Sequence, residues 1–265
     1  MFEYGYMVNA FWAILIITPL FGLVGTMIVN NKLAFFSDAL GHSALTGIAI
    51  GALLGVTNPT FSMVVFGILF ALLLNRIKDL KISSRDTIIS VFSSTALALG
   101  LVILSYNGNF NKFSNYLIGD VLSIVPNEIF MLIGISILIF VFWYFVFNKL
   151  FAISINSSLA RSKNIPVRLI EDIFTALIAV IIMFSIRWVG ILIINSLLIL
   201  PAASSRNISR NMRQYTFWTL LFAVVSGVFG LVISFYTLTA TGPTIVLISS
   251  VIFFITYLLR KKSED

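Results

Sequence analysis

Hydrophobic residues gather into nine long runs, near 8–29, 33–56, 59–75, 87–106, 127–147, 169–186, 189–204, 215–234 and 243–259, each closed by polar, Pro or Gly positions. Wound as helices, runs of about 20 apolar residues match the hydrocarbon core of a bilayer, about 30 Å thick. The pattern therefore predicts an all-α polytopic membrane protein, a bundle of about eight or nine transmembrane helices. The sixth and seventh runs are divided only by Arg187 and Trp188, and the seventh is short. A broken or partly re-entrant element lining a cavity is the alternative reading there. No Lys or Arg precedes Lys32, and the basic flank and small-residue cleavage site of a secretory leader are missing, so the first run is read as a permanent span.

Basic residues give these spans a direction. Lys32, then Arg76, Lys78, Lys81 and Arg85, then Lys149, Arg161, Lys163 and Arg168, then Arg206, Arg210 and Arg213, then Arg260, Lys261 and Lys262 all fall on one side of the alternation. Of the 17 basic residues, only Lys112 and Arg187 fall on the other. Cytoplasmic loops collect Lys and Arg, so the C-terminus is expected in the cytoplasm and the N-terminus on the exported side. Two cytoplasmic loops, 76–86 and 148–168, are long enough for a docking helix and too short for a catalytic domain.

Composition removes whole classes. The chain has 265 residues, 59% hydrophobic and 10% charged, with a mean hydropathy of +1.06, whereas a soluble domain carries about 25% charge. The net charge of +7 is accounted for by loop topology, so no nucleic acid partner is expected. Without cysteine there is no disulfide, thiolate nucleophile or Cys-based metal centre. No segment reads G-x-x-x-x-G-K-[ST], so the chain cannot cradle and hydrolyse ATP by itself and is not expected to be an enzyme.

Among ten acidic residues, only Asp38 lies well inside an expected span, and the single histidine, His42, is in the same span. Asp79, Asp86, Glu171, Asp172, Glu264 and Asp265 sit at cytoplasmic ends, and Glu3, Asp120 and Glu128 at or near exported ends. A charge in hydrocarbon costs about 2.5–3.5 kcal/mol on insertion scales, so such residues face the bundle interior or water and serve a function. At i and i+4, Asp38 and His42 share one helix face with Cβ atoms about 6 Å apart. Together they offer an oxygen and a nitrogen to a divalent cation of the manganese, zinc or ferrous type. The plain structural alternative is a self-neutralising pair that glues helices, and a third is a proton relay. Two ligands leave a metal shell incomplete, so water, Ser37, a backbone carbonyl, Asn195 and Ser196, or a second subunit would have to complete it. Ser43, Gly47, Gly51 and Gly55 recur every four residues after the pair, a small-residue ridge for close helix approach. Membrane hydrolysis finds little support. One histidine cannot make H-E-x-x-H, the Ser226-Gly227 step lacks the preceding glycine of an intramembrane serine protease, and an Asp38–Asp120 dyad would span opposite halves of the membrane.

The stretch Ser37-Asp38-Ala39-Leu40-Gly41-His42-Ser43-Ala44-Leu45-Thr46-Gly47-Ile48-Ala49 resembles the hallmark D-A-[LI]-[SG]-H-[AS]-x-L-P-G-x-A of the ABC-3 permease family, the membrane subunits of zinc/manganese/iron ABC importers. Asp86-Thr87 with Ala96 to Gly100, Tyr116 to Leu122, Val189 to Ala203 and Gly242 to Leu247 follow further family motifs in the family's order. The resemblance implies a type II ABC importer-like fold, with 1–265 as one transmembrane permease domain in the cell membrane. It also implies a homodimer, two cytoplasmic ABC ATPase subunits and an extracellular metal-binding lipoprotein. A divalent metal ion is then the cargo and no cofactor is bound. Asp38 and His42 inherit the family's metal-pathway positions, and Leu159, Ala160, Asn164, Ile165 and Pro166 its coupling segment toward the ATPase. Asn156 and Ser157 replace the acids usual at the start of that segment. Asn164 replaces a glycine, and Thr46 the proline that would kink the metal-bearing helix. An ATPase-independent metal or proton carrier or channel is the alternative function, and a membrane scaffold the reading in which the pair is only glue.

Overall fold

Nine helices of 18 to 30 residues dominate the described residues, one for each apolar run. The computed structural model describes residues 3–77, 84–106, 108 and 110–260. Lys78, Asp79 and Lys81, and the terminal Lys261, Lys262, Glu264 and Asp265, lie outside them. In chain order the helices are α1 (Gly5–Asn30), α2 (Ala34–Leu53), α3 (Pro59–Ile77) and α4 (Arg85–Tyr106), the short α5 (Phe110–Phe113) and α6 (Asn115–Ile118), then α7 (Pro126–Ile155) and the short α8 (Ser157–Ser162). α9 (Val167–Val189), α10 (Ile191–Ile208), α11 (Met212–Thr237) and α12 (Thr241–Leu258) complete the series, and one 3-10 turn spans Val121–Ser123.

Punctuation in the sequence sets the helix starts. Pro59 and Pro126 occupy the first positions of α3 and α7, where no backbone N–H is needed and φ is already helical. Asn58 Oδ1 accepts the Thr60 N–H at 3.0 Å ahead of α3. Asn211 caps α11 through the Gln214 N–H at 2.9 Å, and Gln214 Oε1 takes the Arg210 N–H at 3.2 Å in return, a reciprocal arrangement that satisfies two exposed donors.

Eight of the nine long helices are long and apolar enough to cross a membrane. The exception is α2, whose Asp38, His42 and run of Gly, Ser and Thr dilute its apolarity. Its 20 residues still reach about 30 Å. Most of α2 is buried by other helices instead of facing lipid, which is where small and polar residues are tolerated. α7 is the opposite case, with Phe130, Tyr144 and Phe145 exposed along it.

The helices form two compact units, each drawn from separated segments. One comprises Lys32–Gly119 and Ile139–Ile194. Here α2 is surrounded by α3, α4 and α9, and α3 packs on α9 as well. The small-residue ridge faces α3: a Cβ on Gly47 would come within 3.0 Å of Met63 Cα, and one on Gly51 would overlap the Ser62 side chain. Gly55 does not extend this ridge. α2 ends before it, and Gly55 turns the chain at φ +69° with open space around it.

The break between the sixth and seventh spans lies at Gly190, two residues beyond Trp188. α9 runs through Arg187 and Trp188 to Val189, Gly190 takes φ +90°, and α10 begins at Ile191. Against it lies Gly119 at φ +74°, backbone to backbone, so that a side chain on either would overlap the other's main chain. Only glycine meets both demands at once.

The other unit comprises Met1–Asn31, Asp120–Leu138 and Asn195–Asp265. In it α1 packs on α11, α11 on α12, and the 3-10 turn on α1. Prolines stand inside α1 (Pro19, half-buried) and α10 (Pro201, buried), as membrane helices tolerate.

Candidate metal pathway

Asp38 lies in the second turn of α2 and His42 one turn later, with His42 Nε2 3.6 Å from Asp38 Oδ2. That separation exceeds a direct hydrogen bond. Two donors on one first-row cation at about 2.1 Å stand about 3.0–3.5 Å apart for angles between 90° and tetrahedral, so the pair could close on a single ion with little movement. Around the helix, Phe36, Ala39, Leu40, Ser43 and Leu45 are buried, whereas the side chains of Asp38 and His42 remain 46% and 28% exposed. The pair is thus half-buried, beside the packed face of α2 within its own unit.

Gly41, between the two, faces the first turn of α10 at ordinary contact distance. A Cβ there would lie 3.6 Å from the Ile191 carbonyl oxygen and from Ile194 Cγ2. Ser37, an expected extra ligand, is buried and donates its hydroxyl to the Ala34 carbonyl at 2.9 Å. Asn195 and Ser196 sit half-buried on α10. Asp120 is committed locally: its Oδ1 accepts the Leu122 N–H at 3.0 Å and caps the 3-10 turn. Among the described residues no group of three or more His, Cys, Asp or Glu side chains converges to hold a metal, so protein side chains offer two strong ligands here.

The segment after α7 forms a compact helix and turn. Asn156 Oδ1 accepts the N–H groups of Ser158 at 3.0 Å and Leu159 at 3.1 Å, capping α8. At the other end Asn164 adopts φ +57°, the Asn164 N–H reaches the Arg161 carbonyl at 3.0 Å, and the Ile165 N–H the Ala160 carbonyl at 3.2 Å. This is the left-handed helix stop that favours glycine and next asparagine. Ala160 is buried against α9, Pro166 precedes the first turn of α9, and Leu159, Arg161 and Lys163 project outward. Leu159 and Ala160 on α8 and Asn164, Ile165 and Pro166 in the turn after it, the residues expected to form a coupling segment, are thus neighbours in one compact helix and turn.

A profile of the ABC 3 transport family matches residues 3–260, nearly the whole chain. The chain belongs to the ABC 3 transport family. As an ABC 3 member it is a multi-pass membrane transport subunit, not an enzyme. It is 33% identical to the "High-affinity zinc uptake system membrane protein ZnuB" of Buchnera aphidicola subsp. Baizongia pistaciae (strain Bp), over 92% of this chain and 94% of that one. It is 26% identical to the "Manganese import system permease protein ScaB" of Streptococcus parasanguinis, over 99% and 93%. Its fold superposes on "PsaBC from Streptococcus pneumoniae in complex with Fab" with a TM-score of 0.86 at 26% identity, covering 98% of this chain and 94% of that one. For an ABC 3 protein the departures noted in sequence have visible local solutions. Asn156 caps α8 in place of an acid, and Asn164 holds the left-handed turn in place of a glycine.

The sequence reading missed two groups of residues. Asn75 and Arg76 at the end of α3 both bond Asp172 of α9. A lone Asn closing an apolar run was the available signal. The Gly119–Gly190 crossing had none, because it joins two segments far apart in sequence.

Proposed function

We propose that the chain is the permease subunit of an ATP-driven importer of divalent transition-metal ions, with Asp38 and His42 as transient ligands on the ion path. The observation that carries this reading is the placement of the two donors, 3.6 Å apart on a stripe of α2 that is only half-covered around them. Facing lipid, an ionisable pair would be costly. A second copy of the chain across that stripe, with water along the seam, removes the cost and can supply further ligands. Similarity to relatives named for zinc uptake and for manganese import supports a metal of this class. Two side chains plus water hold such an ion strongly enough to replace part of its hydration shell and weakly enough to release it.

The missing ATP site is supplied by cytoplasmic ABC ATPase subunits docking on α8 and the turn through Leu159, Ala160, Asn164, Ile165 and Pro166. Likeness to PsaBC supports this arrangement. A metal-binding lipoprotein delivers the ion on the exported side, and the C-terminus lies in the cytoplasm, as the Lys and Arg distribution indicates. The test is metal uptake, with the lipoprotein supplied, into liposomes holding the permease with and without its ATPase. Uptake that needs ATPase and ATP supports the importer. Uptake by the permease alone points to a secondary carrier or channel.

A further inference from the structure

On α2, Thr46 follows Asp38 and His42 at the next step of four, one turn further along the same side of the helix. Unlike them it is closed off, with 3% of its surface exposed. Two contacts with α4 account for this. The Thr46 hydroxyl donates to the Ala96 carbonyl of α4, a bond between helices and not the usual return of a threonine hydroxyl to its own helix. One turn further along α4, Gly100 lets the α2 backbone approach so closely that a Cβ there would stand 2.6 Å from Thr46 N and 2.8 Å from Leu45 C. A polar bond and a backbone notch therefore hold α2 against α4 at two adjacent points. A helix fixed in this way cannot turn about its axis, and every side chain on the same stripe keeps its direction.

From this we infer that Thr46 is a positioning residue for the metal pathway: its bond to Ala96, seated over Gly100, sets the rotation of α2 and so aims Asp38 and His42. A proline at this place would remove a backbone N–H and provide no hydroxyl. Threonine keeps the helix continuous through the pair and fixes its rotation by side-chain chemistry. The inference rests on the proposed pathway role of Asp38 and His42.

The experiment compares wild type with Thr46→Val, Thr46→Ser, Thr46→Ala and Asp38→Ala in the complete transporter, permease with its ATPase partner and metal-binding lipoprotein, at matched membrane levels. Uptake of manganese and of zinc is measured against ion concentration, and assembly with the ATPase and thermal stability are recorded in parallel. Valine keeps the shape of threonine and loses the donor. Thr46→Val is expected to raise the half-saturating metal concentration about three- to tenfold, the scale of one interhelical hydrogen bond. Its assembly and stability stay near wild type, and Thr46→Ser stays within about twofold of wild type because it keeps the hydroxyl. Should Thr46→Val fail to fold, Thr46→Ala carries the same expectation. Wild-type half-saturation in both Thr46→Val and Thr46→Ala, with Asp38→Ala inactive, overturns the positioning role and leaves the pathway intact. Equal loss of assembly in Thr46→Ser and Thr46→Val overturns it in favour of packing. Normal uptake by Asp38→Ala removes the pathway itself, and the positioning role with it.

Discussion

The Asn75 side-chain amide donates to Asp172 Oδ1 at 2.5 Å, joining the end of α3 to the start of α9 across 97 residues. Arg76 reaches the other carboxylate oxygen at 2.7 Å from a side chain that is 63% exposed. The two bonds differ in what their loss leaves behind. Asp172→Ala strands the buried Asn75 amide without its acceptor, which costs about 1–3 kcal/mol. Arg76→Ala removes a solvent-screened pair worth less than about 1 kcal/mol. Thermal unfolding in detergent should therefore rank Asp172→Ala well below Arg76→Ala, and equal shifts would contradict the account.

Gly119 and Gly190 support a second prediction. Alanine at either suffers an extended positive-φ backbone, with ψ 163° at Gly119 and 148° at Gly190, that is essentially reserved for glycine and costs about 1–3 kcal/mol, together with overlap on the opposite main chain. Gly55 has a similar φ of +69° and open surroundings, so Gly55→Ala meets the backbone term alone. Melting temperatures should fall clearly further for Gly119→Ala and Gly190→Ala than for Gly55→Ala. The double variant at 119 and 190 should lose less than the sum, because both side chains force the same segments apart.

The turn after α8 makes a third test. Asn156→Ala deletes the cap on two N–H groups and should weaken α8 by about 1 kcal/mol, while Asn156→Asp keeps it. Asn164→Gly should be neutral or better at φ +57°, whereas Asn164→Val should be poorly tolerated. Co-purification of the ATPase subunit reads the outcome: Asn156→Ala and Asn164→Val lose partner, and Asn156→Asp and Asn164→Gly retain it. Retention by all four would argue against this turn as the coupling element.

Orientation is the fourth. A reporter active only in the cytoplasm, fused after the C-terminal basic residues Arg260, Lys261 and Lys262, should be active, and one fused near the N-terminus should not. The reverse pattern would invert every assignment of loops to sides.

All nine long helices were legible because apolar runs of membrane length are long, periodic signals, and Pro59 and Pro126 mark their starts. The pair was legible because Asp38 and His42 are the rare ionisable residues in a span and sit one turn apart. What depends on three dimensions was not. Gly55 continues the four-residue spacing in sequence but lies past the end of α2. The break near Trp188 moved to Gly190, since a helix ends where the backbone must turn and not where polarity rises. The Thr46 bond to Ala96 could not be read either, because a threonine in a helix looks the same whether its hydroxyl stays at home or crosses to a neighbour.

The central claim is that Asp38 and His42 carry the ion. Its most direct test is accumulation of manganese, zinc and iron in cells expressing the complete transporter, with Asp38→Ala and His42→Ala compared to wild type at equal membrane levels and equal ATPase association. The account predicts that both variants lose uptake of the same metal while the complex stays assembled. Unchanged uptake in both would contradict it and make the pair structural glue.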